Sequence, residues 1–239
     1  MKVNWNYIKL MFLLLLLLGV YAFSGVRHQS KKIVKTKVEF LGEDNLFITQ
    51  QMVNKLLIQN LGSLTNVPKD ALVLNKVEKV LEANKMVKSA QVYLTVNGEL
   101  ISKIVQRKPL GRIQGNSNFY LDDEGKRMPL SSNHSARVPI ITGKITDSSL
   151  QNCFAFLNFI NSDDFLKKNI IGIHIADEND FQLKLRLEDY VVNIGGVENL
   201  KAKFNNYKAF YSKAIKDKAL GSYKAVSLEY NNQVVCTKI

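Results

Sequence analysis

Cysteine and histidine are scarce in this chain of 239 residues: Cys153 and Cys236, and His28, His134 and His174. No CxxC pair occurs and no histidine cluster flanks either cysteine, so nothing supports a zinc site. The two thiols pair only if an oxidising compartment and the fold both allow it. Cys153 shares an apolar helical pattern with Phe154, Leu157 and Ile160 and reads as a buried thiol. No histidine stands at i, i+4 from another ligand type. Nucleophile-elbow and Cys-His settings are also missing. Gly143-Lys144-Ile145-Thr146 ends like a phosphate loop but lacks the upstream glycine. Asp122-Asp123-Glu124 with Gly125 reads as a turn between strands, because adjacent carboxylates alone lack surroundings that split their pKa values for acid–base work. Asn133-His134-Ser135 is a sequon read as incidental. No catalytic, cofactor-binding or metal-ligating residue is assigned, and the chain reads as a non-enzyme.

A second long apolar run is missing too. The one present, Leu10 to Val26, is 17 residues long and holds six consecutive leucines, Leu13 to Leu18. That length is at the low edge of what crosses ~30 Å of hydrocarbon at ~1.5 Å per residue. Tyr7 and Ile8 lengthen it if Lys9 snorkels its ammonium to the interface, where Trp5 and Tyr7 also belong. The competing reading is a cleaved signal peptide, with Lys2 and Lys9 as its basic region and Ala22-Phe23-Ser24 as its cleavage site. The run is longer than an ordinary signal core and Phe23 is bulky, so we read an uncleaved transmembrane helix over 10–26 after a stub, 1–9.

Net charge is +12. Arg27, Lys31, Lys32, Lys35 and Lys37 form a basic collar over 27–35 and just beyond, suited to anionic lipid head groups. The positive-inside rule would put the following 213 residues in the cytoplasm, but long domains translocate largely regardless of charge, so charge leaves orientation open. Lys201, Lys203, Lys208, Lys213, Lys216 and Lys218 interleave with Leu200, Phe204, Tyr207, Tyr211 and Ala214. That spacing makes a solvated basic helix face over an apolar one, and no nucleic-acid stripe is assigned.

Val38 to Gly42 alternates as a strand. Thr49 N-caps a helix with Met52, Val53, Leu56, Leu57 and Leu61 inward, closed by Gly62. Asn75 and Glu78 are spaced as an N-cap and an acidic N3 partner for a second helix. Val87 to Val96, the hairpin signal Asn97-Gly98 and a returning strand Leu100 to Val105 follow. A β-α-α-β-β order buries two helices on one face of a small sheet. Later come a helix pattern over Ser148 to Ile160, strands over Ile170–Ile175, Asp180–Leu187 and Val191–Ile194, a helix from Val197 to about Lys218, a strand Tyr223–Tyr230 and a last one through Val234 and Val235.

Val87-Lys88-Ser89-Ala90-Gln91-Val92, followed by Val105-Gln106-Arg107-Lys108-Pro109, resembles the POTRA domain of the bacterial cell-division family FtsQ/DivIB. Gln106 stands where that family has Glu. Tyr120-Leu121-Asp122-Asp123-Glu124-Gly125, Val138-Pro139-Ile140-Ile141-Thr142-Gly143 and Val226-Ser227-Leu228-Glu229-Tyr230 resemble its later landmarks in the same order. The resemblance implies an α+β chain: transmembrane helix, POTRA domain over 36–107, then a mixed β-sheet domain over 108–239 with helices on one face. It implies a non-enzymatic divisome scaffold in the bacterial inner membrane at the septum, N-terminus cytoplasmic and body periplasmic. FtsB-like and FtsL-like single-pass proteins are its implied partners, with other divisome components and membrane lipid.

An exposed sheet edge offers unpaired N–H and C=O groups to a partner strand. The chain's last strand is the best candidate, since Ile239 ends the sequence. Tyr230, Glu229, Gln233, Val234 and Val235 are the expected partner-binding residues, Tyr230 by the family resemblance. Glu229 replaces a residue that is commonly Arg there. The bland alternative is an edge merely blunted by Glu229, Lys224 and Lys238. The Leu100–Val105 strand is a second candidate edge. Rival functions are another POTRA assembly factor, which would need repeated units or a barrel absent here, and a membrane-tethered nucleic-acid binder.

Overall fold

Thr49 does cap a helix: its side chain accepts the Met52 N–H at 3.3 Å, and α2 runs Gln50–Leu61 to Gly62, whose φ is 75°. The structure is a computed structural model that describes residues 5–29, 32–42, 47–230 and 232–239. The chain divides into two units, Met1–Gln106 and Arg107–Ile239.

The first unit opens with α1 (Trp5–Gln29), which carries the apolar run. Leu13 to Leu18 are each between 51% and 61% exposed. Among the described residues no helix is long and apolar enough to cross a membrane, so the spanning helix expected over 10–26 is not found there. The side chains of 22–26, the cleavage-site candidate among them, and of Arg27, His28 and Lys31 lie outside the described residues, as do residues 1–4 of the stub.

Then come β1 (Lys35–Leu41), α2, α3 (Leu74–Glu82), β2 (Val87–Leu94) and β3 (Glu99–Gln106), the order that two amphipathic helices and a hairpin predict. The sheet order is β1-β3-β2, with β1 parallel and β2 antiparallel to β3. The hairpin's returning strand is therefore central, and Leu100–Val105 offers no edge. Val53, Leu57, Val77 and Leu81 from the helices are buried with Val38, Ala90, Val92, Leu100 and Ile104. The Asn75–Glu78 cap is not made. α3 begins after Val73, which has no side-chain cap bond, and Glu78 accepts the Val92 N–H instead.

Gln106 is 3% exposed. Its Oε1 accepts the N–H groups of Phe47 and Ile48 at 3.0 and 3.3 Å, and its Nε2 donates to the Ile48 carbonyl at 3.0 Å. A carboxylate there would lack the donor and face that carbonyl with a lone pair, which explains why an amide serves where the family motif has Glu.

The second unit comprises β4 (Pro109–Ile113), β5 (Phe119–Asp122), β6 (Arg127–Met128), β7 (Ile140–Gly143), α4 (Asp147–Asn161), α5 (Asp164–Asn169), β8 (Ile170–Asp177), β9 (Asp180–Leu185), β10 (Val191–Gly195), α6 (Leu200–Lys216), β11 (Tyr223–Ser227) and β12 (Val235–Lys238). They form one mixed sheet, ordered β12-β11-β10-β9-β8-β7-β4-β5-β6. Along β9, Phe181, Leu183 and Leu185 are buried while Gln182 and Lys184 are not: one face is covered and one is open. The helices lie on the covered face. Phe156 of α4 meets Phe181 edge-on at 5.7 Å and Phe204 of α6 at 6.0 Å, and Phe165 of α5 meets Tyr211 of α6 at 5.3 Å. Asp163 caps α5 and is ion-paired to Lys208, whose hydrogen bond holds its carboxyl below the usual carboxylate range.

Candidate functional site

Hydrophobic alternation puts Val226 of β11 into the core beside Val192 of β10, its parallel register partner. β11 then receives β12 on its other side: Tyr223 opposite Lys238, Ala225 opposite Thr237, Val226 opposite Cys236 and Ser227 opposite Val235, with an irregularity between Tyr223 and Ala225. β12 ends the sheet. Its outer backbone groups are the open edge that strand addition requires.

The five expected residues divide around this edge. Val235 lies in β12 and is 43% exposed. Val234 just precedes it, half-buried against the core. Gln233 is exposed in the connection. The ladder of β11 stops at Ser227, so the strand expected through Tyr230 ends earlier. Leu228 still packs inward, 1% exposed, with its N–H on the Asn193 carbonyl at 2.8 Å. Glu229 then turns over Gly195, whose φ of 64° and missing Cβ leave room for the Glu229 side chain. Tyr230 is 53% exposed beyond the strand. Only Val235 is therefore an edge-strand residue, and Glu229, Tyr230 and Gln233 sit on the connection beside it.

Three residues complete the surface: Thr237, Lys238 and Ile239. Thr237 and Lys238 are exposed, and Ile239 is 89% exposed with its N–H on the Ser222 carbonyl at 3.1 Å. Val235, Thr237 and Ile239 alternate at period two, a signal readable in the sequence. Between them Cys236 is half-buried against the core, and burial raises its thiol pKa. Cys153 is fully buried, and burial pushes it up to about 12. Both are free thiols.

Beneath this end of the sheet lies a buried polar pair. Tyr190 and Tyr207 share a hydrogen bond at 3.0 Å between their hydroxyls, and Tyr211 donates to Glu188 at 3.1 Å. Burial drives the Tyr190 hydroxyl up to about 12 and Tyr207 higher still. These phenols stay protonated and hold α6 on the sheet. Lys203 serves the same end, donating to the carbonyls of Ile194 and Gly196 at 2.9 and 2.8 Å. It is thus part of the fold, unlike the exposed lysines of the same helix.

The acidic turn is structural. Asp122, 0% exposed, accepts the Glu124 and Lys126 N–H groups at 3.0 and 2.7 Å and the Arg107 guanidinium at 2.7 Å. Arg107 also reaches Glu124 at 3.1 Å. His174 shares a hydrogen bond with Thr142 at 3.1 Å. Among the described residues, no group of three His, Cys, Asp or Glu is placed to hold a metal.

A family model described as FtsQ/DivIB, C-terminal related, matches residues 108–237. A POTRA-like domain model matches residues 41–105. No curated protein matches the chain.

Proposed function

The chain belongs to the FtsQ/DivIB family, whose model covers more than half of it, and from that membership we propose that it docks FtsB-like and FtsL-like single-pass proteins along the β12 edge. The family is one of non-enzymatic cell-division scaffolds, and the proposed task here is to gather those proteins at the septum and help control septal peptidoglycan synthesis. The observation that carries the docking reading is the uncovered edge: β12 terminates the sheet with Val235 exposed and Tyr230 beside it. Lys238 on β12 limits unselective pairing at the same edge, so a partner strand that fits would carry acidic and apolar residues.

The same reading places α1 in the inner membrane. Six leucines exposed on every side of a helix favour a lipid surround over water. In this reading the body lies in the periplasm and the stub in the cytoplasm. Depleting the chain is expected to produce filaments without completed septa, and a reporter fused after Ile239 is expected to be active only outside the cytoplasm. Normal septation on depletion, or a reporter active only in the cytoplasm, would contradict the proposal; the second result would favour a membrane-tethered nucleic-acid binder.

A further inference from the structure

The POTRA-like unit has a sheet edge of its own, and its treatment differs from that of β12. β2 lies at one end of the three-stranded sheet. Two of its outward N–H groups are already taken: Val92 donates to Glu78 at 2.8 Å and Ala90 donates to Glu82 at 3.2 Å. Both acceptors are side chains of α3.

The spacings match. Residues four apart on a helix rise ~6 Å and sit on one face. Residues two apart on a strand advance ~6.7 Å, and their N–H groups point the same way. One helix face thus lays two carboxylates along two consecutive outward amides, the positions where the carbonyls of an added strand would bind. A carboxylate accepts such a bond more strongly than a carbonyl does.

Little else on β2 discourages pairing. Its eight residues contain one charge, Lys88, and no proline or glycine. A β-prone strand with a single charge at a sheet edge is prone to pair with an identical strand about a two-fold axis. We propose that Glu78 and Glu82 are an edge guard that keeps β2 from pairing with β2 of a second copy of this chain. The guard closes the β2 edge of this sheet to strand addition, and it stands on the first unit's geometry whether or not β12 docks a partner.

The test is amide hydrogen exchange on the full chain, with a photoreactive residue at the exposed position Gln91 as the second readout. In the wild type, the Ala90 and Val92 amides are expected to be protected and Gln91 to capture no second copy. In Glu78→Ala/Glu82→Ala, both amides should exchange at least ~10-fold faster, the scale of one lost hydrogen bond, and Gln91 should capture a second copy. Glu78→Gln/Glu82→Gln keeps an acceptor at each site and should behave as the wild type. Glu82→Ala alone should free Ala90 and leave Val92 protected, a local pattern that general unfolding cannot produce. Unprotected amides in the wild type, equal exchange in wild type and double alanine variant, or freed amides without capture would each overturn the proposal.

Discussion

Arg107→Ala is expected to remove about 3–5 kcal/mol from the second unit. The reason is the position of Asp122, which has no solvent exposure and rests on one guanidinium and two turn amides. A buried carboxylate is tolerable when its charge is paired and its lone pairs are bonded. Without Arg107 the two N–H groups remain and the countercharge is gone. The same guanidinium holds Glu124, so the turn that closes β5 onto β6 loses two contacts at once. Arg107→Lys should recover part of the loss, because an ammonium supplies the charge without the planar fork. The measurement is thermal unfolding of the full chain: the second unit's transition should fall by roughly 10 °C or more. A loss below ~1 kcal/mol would mean that Asp122 is adequately held by the turn alone. This network also accounts for two landmarks of the sequence, Arg107 before Pro109 and Asp122 before Gly125, as partners in one ion pair.

Tyr230→Ala is expected to weaken docking of the proposed single-pass partners by ~30-fold or more while moving stability by less than ~0.5 kcal/mol. The first figure follows from truncating an aromatic anchor at an interface, about 2 kcal/mol or more. The second follows from exposure: a side chain 53% open to solvent contributes little to the core. Binding and thermal unfolding of the same variant separate the two roles. A large fall in thermal stability would identify Tyr230 as a packing residue, and its place in the interface would be lost.

Periodicity carried much of the fold. The helices over Gln50–Leu61, Asp147–Asn161 and Leu200–Lys216 show apolar residues every three to four positions, and Thr49 shows the chemistry of a cap. α5 stayed hidden because six residues hold fewer than two helical turns, too few for a period. Glu78 reads as a capping partner because it stands three residues after Asn75, whereas its bond goes to a strand amide 14 residues away that sequence spacing does not display. Sheet order was hidden for a related reason. The Asn97-Gly98 turn announces that β2 and β3 pair, but β1 reaches β3 by a parallel, non-local pairing, and only that pairing makes Leu100–Val105 central.

At the candidate edge, the residues near the C-terminus were legible as a group while their roles were not. Leu228 continues the alternation of β11 into the core, and this makes the strand look longer than its ladder. Glu229 and Tyr230 lie past that ladder, which stops at Ser227, and the Glu229 side chain packs over Gly195. The period-two set Val235, Thr237 and Ile239 was present in the sequence but was overshadowed by the motif that ends in Tyr230.

The most direct test of the docking account is in-cell photo-crosslinking from a probe at Val235, within β12, alongside one at Tyr230. Adducts from both positions with a small single-pass coiled-coil membrane protein are the predicted result. Silence at both, in cells where the chain is present and division proceeds, would contradict the claim that this edge receives the partner.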